Sequence, residues 1–202
     1  MGAILSEERD GEGLDRAAVV VSHVLNPALV GCWVFASLIW MDGRDWKAGL
    51  VGLVFYALVP GLSLILLLRN GFVNDLYPPE RSQRGRLLLL GTACYFLGFV
   101  ALIMAGASKA MLSVGCTFFS NALIVWRINY HWKISIHAVA VAGGILILVF
   151  AFGLHVWPFI LALPLVAWAR LRLRSHTLAQ VVVGGALGML TSGLVVHFFA
   201  RL

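Results

Sequence analysis

The chain has 202 residues, 61% of them hydrophobic and 12% charged, with a formal net charge of +6 at pH 7. Soluble globular domains carry about 25% charged residues, so the composition excludes an ordinary soluble domain and predicts an integral membrane protein. The positive balance does not call for nucleic acid, because basic loops between spanning segments set orientation or meet anionic headgroups.

The chain opens with a polar tail, residues 1–16, whose "SEERDGEGLD" is acidic where a cleavable signal peptide would begin with a basic region. The first apolar run is therefore expected to stay as a membrane anchor. Seven stretches free of Asp, Glu, Lys and Arg follow: Ala17 to Trp40, Ala48 to Leu68, Leu87 to Ser108, Ala110 to Trp126, Ile134 to Pro158, Phe159 to Ala169 and Thr177 to Ala200. The fifth and sixth form one uncharged stretch, divided near His155 and Pro158. About 20 helical residues, rising 1.5 Å each, cross a hydrocarbon core about 30 Å thick. Continuous helices are the spanning solution for such runs, because in lipid every backbone group must find its partner internally. The expectation is an all-α polytopic transmembrane helix bundle of seven spanning helices, with six as the alternative, folded as one domain over residues 17–202.

Within the runs, His23 with Asn26 and Pro27 in "HVLNP" predicts a helix kink. Cys32, Cys94 and Cys116 fall in three different runs without metal-ligand spacing and read as small packing residues. Gly184 and Gly188, four apart, predict a stripe for close helix packing.

Seven crossings place the tail and the loops Arg69 to Arg86, Arg127 to Lys133 and Arg170 to Ser175 on one face. That face holds Arg9, Arg16, Arg69, Arg81, Arg84, Arg86, Arg127, Lys133, Arg170, Arg172 and Arg174, leaving Arg44, Lys47, Lys109 and Arg201 for the other. The positive-inside rule makes the crowded face cytoplasmic and the protein a multi-pass component of the cell membrane. Of the nine acidic residues five lie in the tail, and only Asp42, Asp45, Asp75 and Glu80 are left for the loops. Clustered Asp residues of the kind that hold magnesium against diphosphate are missing, so the expectation is chemistry without metal and without a cofactor.

The chemistry-bearing residues gather on the crowded face. His137 follows Lys133 and Ser135 at the start of the fifth run; Arg170 closes the sixth, and His176 opens the seventh with Gln180 four residues on. Positions i and i+4 share a helix face, so the Gln180 amide can hold one ring nitrogen of His176 and fix the other for attack. Helix N-termini favour an anion, and arginine adds a planar fork matched to phosphate oxygens. Arg172 and Arg174, alternating with Leu171 and Leu173, read as anchors that snorkel to headgroups.

The segment "ARLRLRSHTLAQVVVGGALG" resembles the third signature of the type 2 phosphatidic acid phosphatase superfamily of membrane lipid phosphatases: S-R, five residues, H, three residues, D. Arg170 and His176 match at the right spacing, with Ala169 for the Ser and Gln180 for the Asp. "ISIH" is similar to the second signature, P-S-G-H, retaining Ser135 and His137, with Ile136 for the Gly. In the first signature, K, six residues, R-P, Arg84 carries over, while Tyr77 and Gly85 stand for the Lys and Pro. The resemblance spans roughly residues 75 to 190. It implies His176 as the nucleophile that forms a phosphohistidine and His137 as the acid that protonates the leaving alcohol. It implies Arg84 and Arg170, with Ser135 and Lys133 beside them, as the phosphate clamp. The substrate would be a lipid phosphate or diphosphate, polyprenyl or phosphatidate-like, drawn from the surrounding membrane lipids. The alternative reading is a catalytically silent relative that binds lipid phosphates or serves as a membrane partner.

Overall fold

The computed structural model describes residues 2–43, 45–73 and 80–201. Its helices are α1 (Gly2–Val24), α2 (Pro27–Asp42), α3 (Trp46–Leu53), α4 (Val59–Arg69), α5 (Arg81–Met104), α6 (Lys109–Asn129), α7 (Ile136–Phe152), α8 (Ala162–Arg172) and α9 (Leu178–Arg201). A π-helical turn, Val54–Leu58, joins α3 to α4, and a 3-10 stretch, Gly153–Leu161, joins α7 to α8. No strand occurs among the described residues. Five stretches are long and apolar enough to cross a membrane, and the bent pair α1–α2 would make a sixth.

Local chemistry sets the helix ends. Asn26 caps α2 by accepting from Leu29 N–H at 3.0 Å, and Pro27 occupies the first helical position, where its missing N–H costs nothing. The Asn26 amide also donates to the His23 carbonyl at 2.6 Å. The first apolar run is therefore not one straight helix: α1 and α2 meet at 55°. Because α1 begins at Gly2, the polar tail is the front of that helix rather than a segment apart. Ser108 and Ser135 cap α6 and α7 by accepting from Met111 N–H and Ala138 N–H, both at 3.4 Å.

The stretch from Ile136 to Arg172 is a hairpin. As one straight helix its ends would stand roughly 50 Å apart at 1.5 Å per residue. Instead Lys133, just before α7, donates through Nζ to the Ser175 carbonyl, just after α8, at 2.7 Å. The reversal falls in the 3-10 stretch, which contains His155 and Pro158, where the uncharged run was divided. α9 then packs along α7 more extensively than any other helix pair. A Cβ at Gly188 would stand 2.3 Å from the Val139 carbonyl oxygen, and one at Gly184 would stand 2.7 Å from that of Ser135. The absence of side chains at these two positions lets the backbones touch, the device membrane helices use where no hydrophobic effect drives them together.

Candidate functional site

The six residues from Arg170 to Ser175 form a helix end whose hydrogen bonds fix the site. Arg174 N–H donates to the Leu171 carbonyl at 2.9 Å and Ser175 N–H to the Arg170 carbonyl at 3.1 Å, with Arg174 itself left-handed at φ 48. This is a Schellman cap, built on an arginine where glycine is the usual residue. His176 N–H then donates to the same Arg170 carbonyl at 3.3 Å. The spacing of Arg170 and His176 is thereby converted into backbone contact.

Immediately afterwards a second cap begins. Gln180 N–H donates to the Thr177 hydroxyl at 3.4 Å, and Thr177 N–H donates to Gln180 Oε1 at 3.2 Å, the reciprocal pair of a capping box. His176 Nδ1 also lies 3.1 Å from Gln180 Oε1. Because a backbone N–H can only donate, the side-chain atom it meets is the amide oxygen, which can only accept. His176 Nδ1 therefore carries the proton, and Nε2 keeps its lone pair. His176 sits one residue ahead of the Thr177 cap, not inside α9 as the sequence suggests. Gln180 performs two tasks with one oxygen.

Around His176 the structure assembles the other residues singled out in the sequence. Arg170 is 5% exposed and donates through Nη1 to the Ser22 hydroxyl of α1 at 2.6 Å. Arg84 donates through Nε to Asn129 Oδ1, at the end of α6, at 3.4 Å. The charges acting on His176 are Arg170, Lys133 and Arg84, all cationic. Burial first, then Arg170, push the His176 imidazole down to about 4, against a smaller upward pull from Gln180. Lys133 is likewise held below its ordinary value, by burial and then by Arg84 and Arg170. Cations gathered in this way repel one another unless an anion joins them.

His137 is the second residue of α7, buried at 1% exposure, and lies within charge–charge range of Arg170 and His176. Ser135, fully buried, caps that helix, and its backbone N–H donates to the Gln180 carbonyl at 3.2 Å. Arg172 does not serve as a headgroup anchor alone: its Nε pairs with Asp15 Oδ1 of α1 at 2.6 Å. Tyr77 and the rest of 74–79 lie outside the described residues. Among the described residues no cluster of His, Cys, Asp or Glu has the arrangement of a metal site.

Sequence reasoning missed Ser22 and Asn129, which hold Arg170 and Arg84. Ser22 is an ordinary polar residue inside an apolar run and Asn129 one in the loop after the fourth run, 148 and 45 positions from the arginines they serve. No local pattern marks such a pairing.

Inward of His137 lies a cavity of about 380 Å³, bounded by the α1–α2 bend and by α4, α5, α6 and α7. Its walls are largely apolar, with Thr117, Asn121 and His23 as polar spots. Compared with protein families, with curated proteins and with solved structures, the chain finds no match.

Proposed function

We propose that this protein is a metal-independent lipid phosphate phosphatase of the kind its signatures resemble, embedded in the cell membrane with six or seven spans and its basic face in the cytoplasm. The observation that carries the reading is the convergence of Arg84, Lys133 and Arg170 on a histidine held neutral, with Nδ1–H on an amide oxygen and Nε2 available. Three cations match a phosphoryl group's oxygens, and a neutral imidazole among them is a nucleophile rather than a fourth cation.

In the proposed reaction the His176 Nε2 lone pair forms a bond to phosphorus, and the bond from phosphorus to the lipid oxygen breaks. That oxygen takes its electron pair and, by way of His137, the proton that a singly protonated phosphate brings, leaving as an alcohol. A water molecule then attacks phosphorus, and its proton passes by way of His137 to the departing phosphate. The N–P bond returns its electrons to Nε2 and phosphate departs. Arg84, Arg170 and Lys133 neutralise the phosphoryl oxygens throughout, while Ser135 holds the start of α7 beneath them. The imidazole ring is cationic in the intermediate, and Gln180 supports its N–H without supplying charge.

The second reading, a silent lipid-phosphate binder, is favoured by Gln180 itself, whose oxygen completes a capping box whether or not chemistry follows. Phosphate release from a panel of lipid phosphates in EDTA separates the two. Release that His176→Ala abolishes, and that His137→Ala reduces most for poor leaving alcohols, supports the enzyme. Lipid binding without release from any member supports the binder.

A further inference from the structure

Granted the phosphate reading above, the site is half closed. Arg84, Lys133 and His176 are partly exposed, whereas Arg170 is 5% exposed and His137 1%. A phosphoryl group reaches the first three as they stand, but it touches the last two only after something moves. The element over them is α1. Its Ser22 hydroxyl accepts from Arg170 Nη1 at 2.6 Å, and the Ser22 backbone faces the His137 ring.

α1 is lightly held. From Glu12 to Val24 only Ala18 and Ser22 are buried, and among the described residues α8 is the helix along which α1 packs. At the outer end of that seam Arg172 pairs with Asp15 at 2.6 Å, their side chains 36% and 59% exposed, and such exposed pairs add little to stability. At its inner end α1 gives way to Asn26, which is extended (φ −72, ψ 155) before Pro27 opens α2. An extended residue between two helices is the kind of position that absorbs a hinge rotation. At 1.5 Å per residue Asp15 stands roughly 16 Å from that hinge and Ser22 roughly 6 Å, so a rotation there moves Asp15 more than twice as far. The outer half of α1 therefore leaves α8, opening the seam in which Arg170 lies, while Ser22 near the pivot keeps its hold on the guanidinium.

Charge supplies the trigger. Residues 1–16 carry Glu7, Glu8, Asp10, Glu12 and Asp15 against Arg9 and Arg16, a net side-chain charge of −3, while α8 ends in Arg170 and Arg172 with Arg174 just after. A surface of anionic headgroups attracts such arginines and repels the acidic front of α1. We infer that α1 is a lid over the phosphate site, hinged at Asn26 and latched by Asp15 on Arg172, and that anionic lipid headgroups open it by taking the place of Asp15 on that arginine.

The test uses the full chain in lipid nanodiscs, with Cys32, Cys94 and Cys116 replaced by alanine and nitroxide labels on Leu14→Cys of α1 and Leu178→Cys of α9, both exposed positions. Double electron–electron resonance is expected to show one short distance in phosphatidylcholine and a second, longer one when phosphatidylglycerol is added. Asp15→Asn is expected to show the longer distance in phosphatidylcholine alone. One distance unchanged under all these conditions would overturn the lid; a longer distance in Asp15→Asn with none on adding phosphatidylglycerol would overturn the headgroup trigger. Hydrogen exchange of the α1 amides, read on the chain with its own cysteines, is expected to quicken with phosphatidylglycerol and needs no substitution. Phosphate release from dioctanoyl phosphatidate keeps the two readings apart: it is expected to rise about tenfold with phosphatidylglycerol, and Asp15→Asn to remove most of that dependence. If the lid moves and no lipid phosphate is hydrolysed, the lid stands and the phosphatase reading fails. If release is indifferent both to phosphatidylglycerol and to Asp15→Asn, the phosphate site stands and the lid fails.

Discussion

His176 hangs from Arg170 by main-chain geometry: its N–H donates to the Arg170 carbonyl at 3.3 Å, beside the Ser175 N–H at 3.1 Å. The guanidinium and imidazole that we propose act on one phosphoryl group are thus set by a helix cap, and side-chain rotation only finishes the placement. The cap is a point of leverage. Arg174 holds the left-handed position at φ 48, which costs a residue with a Cβ roughly 1–2 kcal/mol. Arg174→Gly is expected to raise Tm by roughly 2–4 °C, the equivalent of about 1 kcal/mol in a chain of this size, with turnover unchanged. Thermal unfolding in detergent checks it, and a lower Tm would mean the Arg174 side chain contributes more than its backbone costs.

Gln180 is where charge is missing. Glutamate also completes a capping box and has the same reach, so Gln180→Glu is expected to keep the Thr177 and His176 hydrogen bonds while adding a carboxylate to the cationic intermediate. Turnover is expected to rise about tenfold or more. Gln180→Ala is expected to lower stability by about 1 kcal/mol, as cap losses do, and to lower turnover at least a hundredfold. Steady-state rates on one lipid phosphate, with Tm alongside, separate the two effects.

The pH dependence follows from the His176 environment. Burial and Arg170 disfavour the imidazolium and bring the value down from 6.5 to about 4, so the imidazole stays neutral until the pH falls that far. The acid limb that His176 sets on kcat/KM is expected near pH 4 rather than 6.5, and Gln180→Glu is expected to move it upward. By the same sign, the unfolded chain takes up a proton below 6.5 that the native site refuses until about 4, so stability from this residue is full above pH 6.5 and is lost as pH falls through that window. Histidine NMR titration of the unliganded protein reads the value directly.

Ser22 is expected to matter through Arg170. Its hydroxyl accepts from a guanidinium that is 5% exposed, and hydrogen bonds to charged groups contribute about 1.5–3 kcal/mol. Ser22→Ala is expected to raise KM about tenfold with a smaller fall in kcat, because the clamp is loosened while the nucleophile is untouched. Ser22→Thr, which keeps the hydroxyl, is expected to restore it. Equal effects in the two variants would show that packing, not the hydrogen bond, is at stake.

Thr117 gives a test of the cavity wall in the other direction. Its hydroxyl is buried with no hydrogen-bond partner among the described residues, and an unsatisfied buried hydroxyl costs about 1–3 kcal/mol. Thr117→Val, nearly the same shape, is expected to raise Tm by roughly 2–4 °C, measured without lipid ligand.

The sequence by itself determined the all-helical class, the bend at Asn26 and Pro27, the division near His155 and Pro158, and the glycine stripe of α9. Each is a local property: apolar length, a missing backbone N–H, or a missing side chain. It also determined that His137, Arg170, His176 and Gln180 lie near helix ends, because charge and apolarity change there. Only the tertiary structure decided that the stretch Ile136 to Arg172 folds back on itself, that Ser22 and Asn129 hold the arginines, and that Gln180 divides one oxygen between a cap and an imidazole. It alone placed a cavity of about 380 Å³ against His137. Those relationships join positions far apart in the chain, and a hydrogen bond across 148 residues depends on how helices pack, which composition and periodicity do not encode.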